Sequence, residues 1–364
     1  MNSPHTAQSF DMPPPAPDEP ASPRWPLWAV YISGVVIGAT VLVAALGPAY
    51  GETPTLAAAS VAAFGAFGLA CTWLLNRIPY FVRVPPSTSG MALLWGGFAA
   101  IGFAMPANTA IGGHFAARGD PSAWLMFAPL TEEPAKALGI VVVLLLAANR
   151  ARTALDGLVV GSFVGLGFEV VEDIVQSINN AINDHPPGQR DNLGSLAVDV
   201  VHEVLRRSWT GHIVITGITG FAIAHALTTR GRTGVQRWSV AAGLMLLAVS
   251  GHLLWNSHRF GVFYVLGQFG ILALYLWLIR VGREQEARIY LPYLHYAAPS
   301  LVDPAEVVSM RSGRARRRAR KASAHPARRA RERHRAIADL AVAISGGNRD
   351  AADRAVEALR HAAG

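Results

Sequence analysis

Eight apolar runs, each long enough to cross the hydrocarbon of a bilayer, follow one another between Trp25 and Arg280, and that succession constrains the chain more than any motif within it. They fall near 27 to 47, 56 to 76, 90 to 112, 124 to 147, 154 to 179, 209 to 228, 238 to 256 and 261 to 280, the sixth and seventh being the least clear because they carry histidines. In lipid each segment has to satisfy its own backbone polar groups, so such runs read as helices. The expected fold class is therefore all-α: a polytopic transmembrane helix bundle of about eight spans. The balance of 51% hydrophobic and 15% charged residues in 364 is that of a membrane protein. A single cysteine, Cys71, excludes an intrachain disulfide framework and any cysteine-based metal site.

The runs divide the chain into a Pro-rich leader expected to be disordered (1–25), a membrane domain (26–282) and a basic C-terminal tail (283–364). No basic region precedes the first run and no cleavage site clearly follows it, so no cleaved signal peptide is expected. The loops after spans 2, 4 and 6 carry Arg77 and Arg83, Arg150 and Arg152, and Arg230, Arg232 and Arg237, whereas those after spans 3 and 7 hold Arg118 and Arg259. The even loops are therefore expected to be cytoplasmic, with both termini inside and the chain a multi-pass protein of the cell membrane. The loop after span 5 runs against this trend with Arg190, Arg206 and Arg207, but Asp184, Asp191, Asp199 and Glu203 balance it. Its stretch from Leu193 to Arg207 reads equally as an amphipathic surface helix or a plain connector. Trp124, Trp209, Trp238, Trp255 and Trp277 fall near span ends, as an aromatic belt would.

Much of the net charge of +8 comes from residues 311–335, with twelve Lys or Arg and one acid, Glu332. The tail reads as a topogenic anchor drawn to anionic headgroups of the lipid bilayer. No aromatic residue interleaves the basic run as a stacking platform, so no nucleic acid is expected. Residues 350–363 form a candidate short amphipathic helix.

Polar residues inside the spans are the functional signal, because ionisable groups at membrane depth are costly without partners. Span 4 holds Pro129-Leu-Thr-Glu-Glu-Pro-Ala-Lys136, in which Lys136 lies at i+4 from Glu132 and i+3 from Glu133 and can partly neutralise both. Pro134 removes one helical hydrogen bond, so the helix is expected to loosen there. In span 5, Gly157, Gly161 and Gly165 recur every fourth residue, a face that admits another helix backbone, and it leads into Glu169, Glu172 and Asp173. Span 6 carries a stripe of His212, Thr216, Gly220 and Ala224, with His225 beside it, and span 7 carries His252 and Asn256 one turn apart. At a rise of about 1.5 Å per residue, Glu132, Glu133, Glu172, His212 and His252 all fall roughly 5–14 Å below the outer ends of their spans. A common slab for groups from four helices is not what random placement would give. Taken singly, a membrane histidine or amide is more often a packing contact; together they point to a functional polar site.

Glu132-Glu133-x-x-Lys136, Asp156-Gly157 leading into Gly167-Phe168-x-x-x-Glu172, His212 with Gly220, and His252-x-x-x-Asn256 together resemble the PrsW family of intramembrane proteases. That family is part of the wider group that includes the Abi-type CAAX prenyl endopeptidases. The resemblance covers about Trp124 to Asn256, with Asp173 where relatives often have Asn, an additional acid in Glu169, and Asn256 where some members have Asp. It implies hydrolysis of a peptide bond of a single-pass membrane protein substrate, of the kind that makes a first cut in a membrane-bound anti-sigma factor.

On that expectation one of Glu132 and Glu133 is the general base and the other its partner, with Lys136 tuning both. His252 and Asn256 would act on the oxyanion or position the water, with Glu169 and Asp173 in support. His212 and Glu172 would lie behind them or ligate a metal. A zinc ion held by His212, His252 and a glutamate such as Glu172 is one expectation and a metal-free, glutamate-dependent site the other, since no His-Glu-x-x-His spacing occurs. No other cofactor is expected. The same Glu and His groups would also suit a proton-coupled transporter or channel, but no inverted repeat is visible and the polar groups are skewed to one leaflet. A silent scaffold that binds membrane helices in the same cavity is a third alternative.

Overall fold

The computed structural model describes residues 24–120, 123–147, 153–202, 210–229, 231–257, 261–297, 301–322 and 326–363, and among them every regular element is helical. The leader up to residue 23 lies outside the described residues, as do Arg150, Arg152, Glu203, Arg206, Arg207, Trp209, Arg230 and Arg259 of the topology reading. The chain forms two units, residues 23–79 with 84–279, and residues 80–83 with 280–364.

In the first unit α1 (Trp25–Glu52) and α2 (Pro54–Leu75) are followed by α3 (Pro86–Leu94), which continues through a π-helical turn (Trp95–Ala100) into α4 (Ile101–Ala116). Then come α5 (Ala128–Leu146), α6 (Ala154–Asp184), α7 (Leu193–His202), α8 (His212–Thr228), α9 (Gly234–Trp255) and α10 (Val262–Tyr290), whose last turns belong to the second unit. The eight expected spans correspond to α1, α2, α3 with α4, α5, α6, α8, α9 and α10. Six are long and apolar enough to cross a membrane. The exceptions are α5, which carries Glu132, Glu133 and Lys136, and α8, which has only 17 residues.

Helix α6 is the axis of this unit and is buried along nearly all of its apolar length. Its start is set by a reciprocal cap: Asp156 N–H donates to Thr153 Oγ1 (3.2 Å) and Thr153 N–H to Asp156 Oδ2 (2.9 Å). Its glycines then bring α8 to backbone contact. A Cβ added at Gly157 would sit 2.4 Å from Gly220 O, one at Gly161 2.3 Å from Thr216 O, and one at Gly165 2.2 Å from His212 O. Gly161→Ala is therefore expected to cost about 1–3 kcal/mol by overpacking. The reading is a lower midpoint of thermal unfolding in detergent. Gly243→Ala in α9, where the added methyl meets no atom within 4 Å, should leave the midpoint unchanged or raise it.

On the other side of α6, Gly96 and Gly167 are equally tight: added Cβ atoms would lie 1.9 Å from Val164 O and 2.1 Å from Leu93 O. The π-helical turn therefore packs directly on α6 and aims Trp95 at α5, where its Nε1–H donates to Ala135 O at 3.0 Å. α5 runs through Pro134 as one helix. Large apolar side chains such as Val36 and Val43 on α1 and Phe263, Leu266 and Phe269 on α10 are exposed, the surface a lipid-facing bundle presents.

Trp238 and Trp277 are exposed as a belt requires, whereas Trp255 is buried and packs near Tyr264. After α6 the connector folds rather than trailing: Asp191 accepts from Leu56 N–H (2.7 Å) at the start of α2, Arg190 pairs with Glu52, and Leu193–His202 is helical.

The second unit corrects the picture of the tail as a charge run. It contains α11 (Pro292–Ala297), α12 (Pro304–Met310), α13 (Gly313–Ala322), α14 (Ala327–Ser345) and α15 (Arg349–Ala363). Phe81, Tyr290, Leu294, Met310, Ile337, Leu340, Ile344, Val356 and Leu359 share one hydrophobic core. Part of the basic run is engaged within it. Arg333 makes a two-pronged bond to Glu306 (2.5 and 2.8 Å), and Arg316 lies 3.8 Å over the Tyr80 ring while donating to Met310 O. Burial by itself would raise the Glu306 carboxyl, but the hydrogen bond and charge of Arg333 hold it below its ordinary value. The pair's contribution to stability is thus present at neutral pH and lost only as pH falls below the usual carboxylate range.

Candidate active site

Four helices converge on one buried cluster. α5 supplies Glu132, Glu133 and Lys136, which are 4%, 3% and 0% exposed, a degree of burial that charged groups tolerate only when paired. Lys136 Nζ donates to Glu132 Oε2 at 3.1 Å and to Glu133 Oε1 at 3.0 Å, as the i+4 and i+3 spacing requires. Its third donor reaches Nδ1 of His212, the first residue of α8, at 2.8 Å. The ammonium also stands 3.7 Å over the ring of Phe168, the residue just before the acidic stretch of α6, a cation–π contact.

The histidines are oriented by carboxylates. With Lys136 donating to Nδ1 of His212, the ring carries its proton on Nε2 and donates to Glu172 Oε2 at 2.8 Å. His252, from the end of α9, donates from Nδ1 to Glu133 Oε1 at 2.9 Å, and its Nε2 lies 3.8 Å from Glu132 Oε2. The two imidazoles pack edge to face with centroids 4.9 Å apart.

Ligand atoms of Glu132, Glu133, His212 and His252 all lie within 4.8 Å of one another, so this cluster can hold a metal ion. Two carboxylates and two imidazoles are hard-to-borderline donors of the kind that suit a divalent transition metal. Glu133 Oε2 is buried with no hydrogen-bond partner, an oxygen whose lone pairs could ligate a metal. Lys136 is the competing cation, because one lone pair on His212 Nδ1 cannot serve both an ammonium and a metal.

Of the remaining sequence candidates, Glu172 stands behind His212 and outside the group of four. Glu169 Oε2 accepts from Ile213 N–H at 3.2 Å and so secures the start of α8. Asp173 is buried on the same face of α6. Asn256 is not brought to the carboxylates: it ends α9, and its Nδ2 donates to Leu125 O at 2.8 Å, tying α9 to the segment before α5. His225 lies more than three turns along α8 from His212, bonded to Thr229 Oγ1.

One residue the sequence reading passed over belongs to the site. Asn108 of α4 donates to Glu132 Oε1 at 3.2 Å and accepts from Thr131 Oγ1 at 2.5 Å. Its signal was an amide inside an apolar span, the same expense that drew attention to Asn256. A groove of about 330 Å³ opens beside it, between α4 and α6, and reaches Glu132 and Glu172.

A helix bundle that buries paired acids and two histidines around one point, with a groove leading to it, is built as a hydrolase acting within the membrane. The family comparison makes this specific: residues 84–282, more than half of the chain, match the model of the PrsW family intramembrane metalloproteases. The chain belongs to that family, and it is a multi-pass membrane peptidase. Neither the curated proteins nor the solved structures provide a match.

Proposed function

We propose that this peptidase cuts a single-pass membrane protein of the anti-sigma-factor kind, in the cell membrane, on the outer-leaflet side, with Glu132 as general base. The observation that carries the reading is the unequal engagement of the two glutamates. Glu132 lines the groove from which water and substrate would come, held by Asn108 and Lys136, whereas Glu133 is enclosed and keeps one oxygen unpartnered. Glu133, His212 and His252 would hold the metal, for which zinc is the natural choice with nitrogen and oxygen donors only. When bound, such an ion lowers the pKa of water and polarises a carbonyl.

The chain's own residues account for the proton movements. Glu132 takes a proton from the water whose oxygen attacks the scissile carbonyl carbon, giving a tetrahedral oxyanion. As the C–N bond breaks, the same carboxyl returns the proton to the leaving nitrogen, so water is consumed and a carboxylic acid and an amine are formed. Asn108 fixes the carboxylate's rotamer, and the Glu172–His212 and His252–Glu133 bonds fix both rings.

The test is a comparison of membrane fractions containing the wild type or His252→Ala. Protein termini created only by the wild type are expected, with His252→Ala reducing them at least tenfold. An unchanged set of termini in a folded His252→Ala protein would reject the assignment.

A further inference from the structure

We propose that the C-terminal unit carries a binding site for a phosphate monoester among α12, α13, α14 and α15, independent of the peptidase chemistry. A cavity of about 480 Å³ opens among these four helices. Each contributes one alanine to its lining, Ala305, Ala319, Ala330 and Ala362, so the space exists because side chains are short where the helices meet. Around them stand Glu306 from α12, Arg320 from α13, and Arg329, Arg333 and His334 from α14. Positions 329 and 333, like 330 and 334, are one turn apart, so a single face of α14 forms this wall.

The charges in this lining do not balance. Three guanidiniums face one carboxylate, and that carboxylate is committed: Glu306 accepts both prongs of Arg333 at 2.5 and 2.8 Å, and its Oε2 also accepts from Asp303 N–H at 3.2 Å. Among the described residues no carboxylate pairs with Arg320. His334 is a second, independent sign. It is 7% exposed, and its buried Nδ1 has no hydrogen-bond partner. A buried polar atom left in that state is costly. Burial and the charge of Arg320 hold the ring below the ordinary histidine value, with Arg316 and Arg333 adding to the effect and Glu306 opposing it. The cavity is thus positive and short of acceptors.

A phosphate monoester supplies what is missing. It is close to dianionic at neutral pH, which matches the excess of guanidiniums over carboxylate, and its three terminal oxygens accept from guanidinium forks and an imidazole N–H at once. The planar guanidinium suits this geometry better than an ammonium would. A carboxylate brings only one charge and two oxygens. No Phe, Tyr or Trp lines the cavity among the described residues, so it offers no platform on which a nucleobase would stack. The ligand is accordingly a phosphate on a small aliphatic body, and two sources have that chemistry: a soluble phosphomonoester and the headgroup of a phosphatidate-type lipid.

The test uses the full-length protein, each variant being checked for folding by its melting midpoint. In detergent at constant ionic strength, calorimetric titration with inorganic phosphate is expected to show saturable binding that is at least tenfold weaker in Arg320→Gln. Arg318→Gln removes the same charge from an exposed position of α13 outside the cavity and should change the affinity less than twofold. Ala319→Glu places a tethered carboxylate among the same cations and should abolish binding. No saturable binding by the wild type, a loss in Arg320→Gln no greater than in Arg318→Gln, or wild-type affinity in folded Ala319→Glu would each overturn the site. Nanodiscs separate the two sources. Phosphate affinity lower with phosphatidate than with an equal fraction of phosphatidylglycerol identifies the lipid headgroup as the occupant, and equal affinity in both identifies a soluble phosphomonoester.

Discussion

Glu132→Gln is expected to slow cleavage by about 10²–10⁴-fold, the usual contribution of a positioned general base, while the protein keeps its metal. The amide is nearly isosteric and can still accept from Lys136, so the helix and the cluster should persist. Glu133→Gln should behave differently. It removes the buried carboxylate oxygen that has no partner and weakens the Nδ1–H bond of His252, so metal content and cleavage should fall together. Metal analysis of the two purified variants, run beside their cleavage rates, separates the roles. If Glu132→Gln lost metal while Glu133→Gln kept it, the two assignments would have to be exchanged.

Lys136→Met is the second large effect. The ammonium is fully buried and bonded to both carboxylates and to His212, so its removal leaves two adjacent buried acids without a counter-charge. Breaking a buried pair in this way costs about 3–5 kcal/mol, which should appear as a marked fall in the melting midpoint of the metal-free protein. Zinc should then stabilise the variant more than it stabilises the wild type, since it no longer competes with the ammonium for His212 Nδ1 and any ligand of the folded state alone raises stability. A variant as stable as the wild type without metal, or one with no greater response to zinc, would show that Lys136 is not the internal counter-cation.

Hydrophobic length located the eight expected spans, six of which are long and apolar enough to cross a membrane, because lipid leaves the backbone no alternative. The small-residue stripe on α6 was legible for the same kind of reason: glycine every fourth residue has few uses in a membrane helix other than close packing. Glu132, Glu133, His212, Glu172 and His252 could be grouped by depth, since antiparallel helices convert sequence position into height, and Lys136 joined them by its i+3 and i+4 spacing. Rotation about each helix axis is not encoded so directly. It is why Asn256 was placed with the oxyanion although it bonds to Leu125 O, and why Asn108 on α4 was missed. The C-terminal unit was read as a charge run because its arginines dominate the composition of 311–335. Its core is made of isolated aliphatic residues on amphipathic helices, several of them beyond that run, and it includes Phe81 from a loop some two hundred residues earlier.

The backbone contact between α6 and α8 works as a ruler with coarse divisions. Interlocked carbonyls and glycines admit no gradual sliding; the next arrangement that fits is a full helical turn away, about 5.4 Å along the axis. His212 stands at the last mark of that ruler, opposite Gly165, with Lys136 and Glu172 on either side of its ring. A shift of one division would carry the imidazole beyond reach of both. The position of the imidazole is thus set by the glycine packing several turns away as much as by its own hydrogen bonds.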